Sequence, residues 1–169
     1  PVVLTECPLL DGLDKWSLDY LRDNLVESAA DSSWTVHFTP PEVNVVSRHY
    51  GKGLGAGGIL EMSFSDFVAA SRTEGLAQPP PRRNYYLQEL IAWTQDSEWG
   101  HRPLGSVLAD ELSHAGWGWL EEACSQAGEG PFEACQLWAG CGGLVTPCHY
   151  DARANFIAQL RGSKQLLLL

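Results

Sequence analysis

Basic residues are scarce in this 169-residue chain: 11 Lys and Arg stand against 21 Asp and Glu, which gives a formal net charge of −10. A chain of this sign is not expected to bind nucleic acid or an anionic membrane as its main partner, because both carry negative charge. The sequence also lacks a signal peptide and any apolar run of transmembrane length. These absences predict an intracellular protein, located in the cytoplasm or the nucleus.

Paired CxxC cysteines are absent as well. The five cysteines are Cys7, Cys124, Cys135, Cys141 and Cys148. An odd number without paired spacing favours free thiols in a reducing compartment over a disulfide framework. The chain does contain 44% hydrophobic residues, which is enough for the core of one domain.

The order of the predicted elements indicates an α+β fold. Helical spacing of apolar residues predicts one helix within 13–26 and two short helices at about 105–126, broken near Gly116. Ser63 with Asp66 three residues later is a variant of the capping box, which predicts a helix starting there. Strands are predicted at 34–38, 43–50, 84–90, 132–140, 154–160 and 164–169. Because strands dominate late and no βαβ alternation occurs, we expect an antiparallel sheet or barrel with flanking helices.

One glycine-rich stretch has the spacing of a dinucleotide-binding loop. Gly53, Gly55 and Gly58 match GxGxxG, which requires a helix that opens at the third glycine to hold a pyrophosphate. The next predicted helix begins only at Ser63. A surface loop is therefore the favoured interpretation of this stretch.

A histidine and an aspartate two positions apart are the strongest chemical signal. On a strand, His149 and Asp151 would lie on one face. An imidazole and a carboxylate are two of the three ligands of the 2-His-1-carboxylate triad that holds Fe(II) in oxygenases. By itself the pair also fits a hydrogen-bonded pair or a solvated turn. The amide of Asn155 on a buried strand would need a partner, and Lys164 would need a counter-anion unless it is an edge residue that reaches solvent.

Several segments of the chain resemble a known family. The stretch from Thr146 to Leu168 is similar to the metal-binding core of the JmjC, or cupin-like, 2-oxoglutarate oxygenases, and within them to the asparaginyl hydroxylases. Segments 1–25, 62–72 and 84–90 are similar to the N-terminal part of the same family, in the same order. The resemblance implies the N-terminal part of a double-stranded β-helix (jelly-roll) with flanking helices. It implies one incomplete domain over 1–169, with helices and strands to about 130 and the first core strands at about 131–169.

The resemblance also implies roles for individual residues. His149 and Asp151 match two ligands of Fe(II). Four residues match groups that hold 2-oxoglutarate, and they are Tyr86, Thr146, Asn155 and Lys164. Gln88 matches a glutamine that contacts the target peptide. The implied activity is Fe(II)-dependent hydroxylation of a protein side chain, with 2-oxoglutarate and O₂ as co-substrates.

Two features qualify this interpretation. The family's second iron histidine would follow after Leu169, and the leucine run that ends the chain is typical of a buried strand, so we expect a fragment that is inactive alone. The remaining histidines are expected at the surface or in the core, and they are His37, His49, His101 and His114. The substrate-positioning aromatic pair of the asparaginyl hydroxylases is missing near 44–48.

Other functional classes stay open at this stage. The chain could be a cupin-fold binding or scaffold protein without catalysis. It could also be a related oxygenase that acts on lysine, histidine or a nucleic-acid base, although the acidic charge weighs against the last. The expected partners are a protein or peptide substrate and a second copy of the chain, through a C-terminal part of the complete protein.

Overall fold

The computed structural model describes residues 3, 5, 7–29, 33–43, 57–72, 83–93, 104, 106–130, 134–151 and 154–168. After a short 3₁₀ helix at Pro8–Leu10, the helices are α1 (Leu18–Ala29), α2 (Phe64–Ser71), α3 (Ser106–Ser113) and α4 (Trp117–Gln126). The strands are β1 (Trp34–Thr39), β2 (Gly58–Met62), β3 (Asn84–Trp93) and β4 (Ala134–Gly140).

The chain divides into two compact units. The sheet unit comprises Ala29–Pro103 and Ala134–Tyr150. The helical unit comprises Pro1–Ser28, Leu104–Glu133 and Asp151–Leu169. Each unit therefore combines segments that are distant in sequence.

The sheet unit is built on four antiparallel strands in the order β2-β1-β3-β4. Alternation along the strands decides which face is buried: Trp34 and Val36 on β1 are 1% and 0% exposed, and Leu87, paired with Val36, is 0% exposed. The residues between them point to the opposite face. The apolar core of this unit consists of Trp34, Val36, Phe64, Phe67, Val68, Tyr85, Leu87, Ile91 and Leu137.

Helix α2 contacts β3, and a side-chain cap defines its start. Ser63 Oγ accepts the backbone N–H of Asp66 at 3.0 Å and donates to Asp66 Oδ2 at 2.7 Å. The cap satisfies a backbone donor that the first helical turn leaves without a partner. It places Phe64 where its ring meets that of Trp34, with centroids 5.1 Å apart.

A partly buried carboxylate joins α1 and α3 in the helical unit. Glu111 accepts the indole N–H of Trp16 at 2.7 Å and the phenol of Tyr20 at 2.5 Å, and it pairs with Lys15 at 2.7 Å. Burial alone would raise the pKa of Glu111, but the hydrogen bonds from Lys15, Tyr20 and Trp16 outweigh it and lower the pKa. The charge is thus compensated, as a carboxylate removed from water requires.

Most predicted elements are confirmed. A helix starts after Ser63, and the two later helices are separated at Gly116. Strands form at Trp34–Thr39, Asn84–Trp93 and Ala134–Gly140. The predicted strand at 43–50 lies, apart from its first residue, outside the described residues. Gly53 and Gly55 of the glycine-rich stretch lie outside the described residues, and at Gly58 a strand begins instead of the helix that a dinucleotide loop requires. No described helix is long and apolar enough to span a membrane.

The predicted strands at 154–160 and 164–169 are wrong for the described residues. Residues 154–168 contain no helix or strand, although Gly162 has the positive φ of 73° expected for a turn. Leu166, Leu167 and Leu168 are 58%, 85% and 63% exposed instead of buried. A strand needs a neighbour for its backbone hydrogen bonds, and no described segment pairs with this one.

Candidate functional site

Two of the candidate residues, Tyr86 and Gln88, lie on β3 and share one face of the sheet. Their antiparallel partners on β4 are Gly140 and Trp138. At Gly140 a Cβ would come within 2.8 Å of Leu144 Cδ1 and 3.1 Å of Tyr86 Cδ2, so any larger residue would require both side chains to shift. The missing side chain leaves room for the Tyr86 ring. Burial raises the pKa of Tyr86, so the phenol keeps its proton and can donate to an anion.

Gln88 is hydrogen bonded to Gln136 of β4, which in turn accepts from Trp138 of the same strand; the sequence singled out neither residue. Gln88 Nε2 donates to Gln136 Oε1 at 2.7 Å, and the same oxygen accepts the indole N–H of Trp138 at 2.9 Å. The Trp138 ring meets that of Tyr86 edge-on, with centroids 6.4 Å apart and planes at 68°. The available signal was the spacing of two within β4, which places Gln136, Trp138 and Gly140 on one face.

Thr146 and His149 belong to the sheet unit and follow β4 after a glycine turn in which Gly143 has a φ of 81°. Both residues are exposed. His149 Nδ1 lies 2.7 Å from the carbonyl oxygen of Pro147. Because a carbonyl only accepts, Nδ1 must carry a proton, and in the neutral ring the lone pair then lies on Nε2. This is the tautomer in which a histidine binds a metal through Nε2.

Asp151 and Asn155 belong to the helical unit and are hydrogen bonded to each other. Asn155 Nδ2 donates to Asp151 Oδ2 at 2.5 Å. The family resemblance implies that Asn155 acts at the co-substrate, and this role stays a prediction; in the structure its amide donates to the predicted iron ligand. A hydrogen bond of this type orients a carboxylate.

The backbone around the motif differs from the predicted strand. Residues 149–151 have no regular structure, so strand geometry does not place His149 and Asp151 on one face. Lys164 is exposed rather than placed at the head of a buried run. The leucine run is exposed because no described strand pairs with it or covers it.

The other histidines take the positions expected of surface and core residues where they are described. His37 is partly buried on β1, where it pairs with Tyr86, and His114 is exposed with Nδ1 2.7 Å from the carbonyl oxygen of Asp110. His49, His101 and residues 44–48 lie outside the described part of the chain. Among the described residues, no group of three His, Cys, Asp or Glu side chains is placed to hold a metal ion.

Comparison with protein families assigns the chain to a class. A model of the cupin-like domain matches residues 1–169, so the chain belongs to the cupin-like domain family. The four-stranded antiparallel sheet with four helices is an α+β, partial jelly-roll form of this fold. The family includes JmjC-type oxygenases, which generally use Fe(II) and 2-oxoglutarate.

Proposed function

We propose that this protein is an Fe(II)- and 2-oxoglutarate-dependent oxygenase that hydroxylates a side chain of a protein substrate, with asparagine as the first target to test. The observation that carries the proposal is the His149-Tyr150-Asp151 motif in a chain that the cupin-like family matches throughout. The acidic charge of −10 favours a protein or peptide over a nucleic acid as substrate.

The donor chemistry of the motif suits Fe(II). His149 offers Nε2 because Nδ1 donates to Pro147, and Asp151 offers a carboxylate that Asn155 orients. Imidazole and carboxylate are the ligand types of the facial triad, whose remaining positions stay open for a co-substrate and O₂. His149 and Asp151 would supply two of its three protein ligands.

Three further residues would hold the co-substrate. Tyr86 keeps its phenolic proton and would donate a hydrogen bond to the distal carboxylate of 2-oxoglutarate. The Thr146 hydroxyl would donate to the same carboxylate, and Lys164 would supply the positive charge that pairs with it. Gln88 would contact the peptide.

When bound, Fe(II) and 2-oxoglutarate would allow O₂ to serve as the oxidant for hydroxylation of an unactivated C–H bond, with 2-oxoglutarate decarboxylated in the same reaction. The role of the protein is to bind and orient the metal, the co-substrate and the peptide, and to exclude water. Asn155 keeps the Asp151 carboxylate in one orientation, and Pro147 keeps His149 in one tautomer. Each contact would reduce the number of orientations or tautomers that its own ligand samples before a metal binds.

The test is the loss of turnover in single variants of the full-length protein. His149→Ala and Asp151→Ala should each abolish Fe(II)-dependent decarboxylation of 2-oxoglutarate, measured with asparagine-containing peptides present. His114→Ala is the matched control, because it removes an exposed histidine that also contacts a backbone carbonyl. It should keep parental turnover.

Unchanged turnover in either motif variant would remove the metal assignment. If the parent protein binds neither Fe(II) nor 2-oxoglutarate, the chain is a cupin-fold binding or scaffold protein instead. If it decarboxylates 2-oxoglutarate but hydroxylates only lysine, histidine or a nucleic-acid base, the oxygenase class stands and the asparaginyl specificity fails.

A further inference from the structure

We propose that Gln136 and Trp138 are positioning residues that turn the amide of Gln88 so that it presents its carbonyl oxygen to the substrate, and therefore recognises an amide N–H of the peptide. The proposal rests on the proposed function, because it assumes that Gln88 contacts the peptide. It adds two residues of β4 and the hydrogen-bonding sense of the recognised group.

The orientation follows from a chain of two hydrogen bonds. The indole Nε1–H of Trp138 can only donate, so the atom of Gln136 that lies 2.9 Å away must be the amide oxygen. That same oxygen lies 2.7 Å from the Gln88 amide, which must therefore contribute its nitrogen. An isolated glutamine can turn its amide either way. The amide of Gln88 has one orientation, because Trp138 fixes the orientation of Gln136, to which Gln88 is hydrogen bonded.

The consequence is that the Gln88 carbonyl oxygen is left available as an acceptor. With one N–H of Nε2 donated to Gln136, Gln88 keeps its carbonyl oxygen as an acceptor and its second N–H as a donor. No hydrogen bond among the described residues uses that oxygen. Tyr86 is the next residue on the same face and contacts the Trp138 ring. The candidate peptide contact and the candidate co-substrate contact thus share one neighbour, Trp138.

The orientation can be tested without any turnover, by NMR of the ¹⁵N-labelled full-length protein. Gln88→Leu and Trp138→Phe assign the Gln88 side-chain amide and the Trp138 indole signals by their disappearance. Gln136→Met should shift both signals, since it removes the shared acceptor. Gln136→Glu should keep the hydrogen-bonded indole shift, because both carboxylate oxygens accept.

The recognised group is tested with the best asparagine-containing peptide of the turnover assay. Gln136→Met should raise the peptide KM by about 3- to 10-fold, the effect of one net hydrogen bond, with kcat changed less than about 2-fold. Trp138→Phe should act in the same direction, and Gln136→Glu should restore the parental KM. Gln126→Met is the matched control, because Gln126 is an exposed glutamine that donates to Glu122 at 2.7 Å.

The source of the N–H is identified by changing the peptide. N-methylation at successive positions removes backbone N–H groups, and aspartate in place of asparagine removes the side-chain NH₂. One of these changes should raise the KM for the parent protein and have no further effect in Gln88→Leu. This loss of additivity marks the group that Gln88 contacts.

Two results would overturn the proposal. One is an unshifted Gln88 amide signal in Gln136→Met, which would show that the orientation does not depend on β4, whether or not the protein is an oxygenase. The other is an equal KM rise in Gln136→Glu and Gln136→Met, or no peptide N–H whose removal loses its effect in Gln88→Leu. If the oxygenase proposal alone is wrong, the parent protein shows no turnover while the NMR shifts are still those expected.

Discussion

Strand β3 and the segment 154–160 have similar sequences and different structures. NYYLQEL and ANFIAQL both mix aromatic or branched residues with a glutamine, and both were predicted to be strands. The first is paired on both sides within the sheet, with Leu87 fully buried. The second has no regular structure, and Phe156 and Ile157 are 47% and 51% exposed.

The difference shows that a strand pattern in the sequence indicates that a segment can form a strand, but not that it does. β3 has β1 and β4 as hydrogen-bonding neighbours and α2 over its apolar face. No described segment gives 154–160 a neighbour of that kind, although the Phe156 ring meets that of Trp119 edge-on at 6.4 Å. Packing therefore decides what β-propensity alone leaves open.

The largest expected effect tests this contrast directly with one substitution at two places. Leu87→Ala in β3 should lower the free energy of unfolding of the 169-residue chain by about 2–5 kcal/mol, because it leaves a cavity in the core. Leu167→Ala should change it by less than about 0.5 kcal/mol, since Leu167 is 85% exposed. Urea denaturation measures both. Equal losses would show that the leucine run is packed as tightly as β3.

A second prediction sharpens what the exposed segment does when the co-substrate binds. If Lys164 pairs with the distal carboxylate, Lys164→Ala in the full-length protein should raise the 2-oxoglutarate requirement by about 10- to 150-fold, the effect of losing a charged hydrogen bond. Metal binding should stay nearly unchanged. Titration of 2-oxoglutarate with Fe(II) present gives the readout, and Lys15→Ala, which removes a lysine paired with Glu111 instead, is the control. Identical 2-oxoglutarate affinity in mutant and parent would return Lys164 to the role of a solvated edge residue.

The smallest expected effect concerns the helix that covers β3. Ser63→Ala removes the cap of α2 and should lower the free energy of unfolding by about 1 kcal/mol. Ser65→Ala, an exposed position two residues later in the same helix, is the control and should be nearly neutral. A fall in the thermal midpoint for Ser63→Ala alone would show that β3 depends on α2 as a cover, whereas equal midpoints would assign its stability to strand pairing.

Sequence reasoning predicted the local elements well where the signal was local. The Ser63 cap, the break at Gly116 and the strand alternation of residues 34–38 depend on neighbours within a few positions, so the order of residues contains them. The family resemblance likewise predicted the cupin-like assignment, which the match over residues 1–169 confirms. The roles predicted for the site residues, such as His149 and Lys164, stay predictions.

The tertiary structure decided what depends on distant partners. The strand order β2-β1-β3-β4 and the Glu111 network join residues that are far apart in sequence, 95 positions in the case of Trp16 and Glu111. The same holds for Gln88, whose orientation depends on Gln136 across the sheet. Sequence by itself determined which segments can form strands and which side chains have metal-ligand chemistry. Only the fold decided which strands found partners and which way an amide points, because hydrogen-bond pairing and burial are properties of neighbours in space.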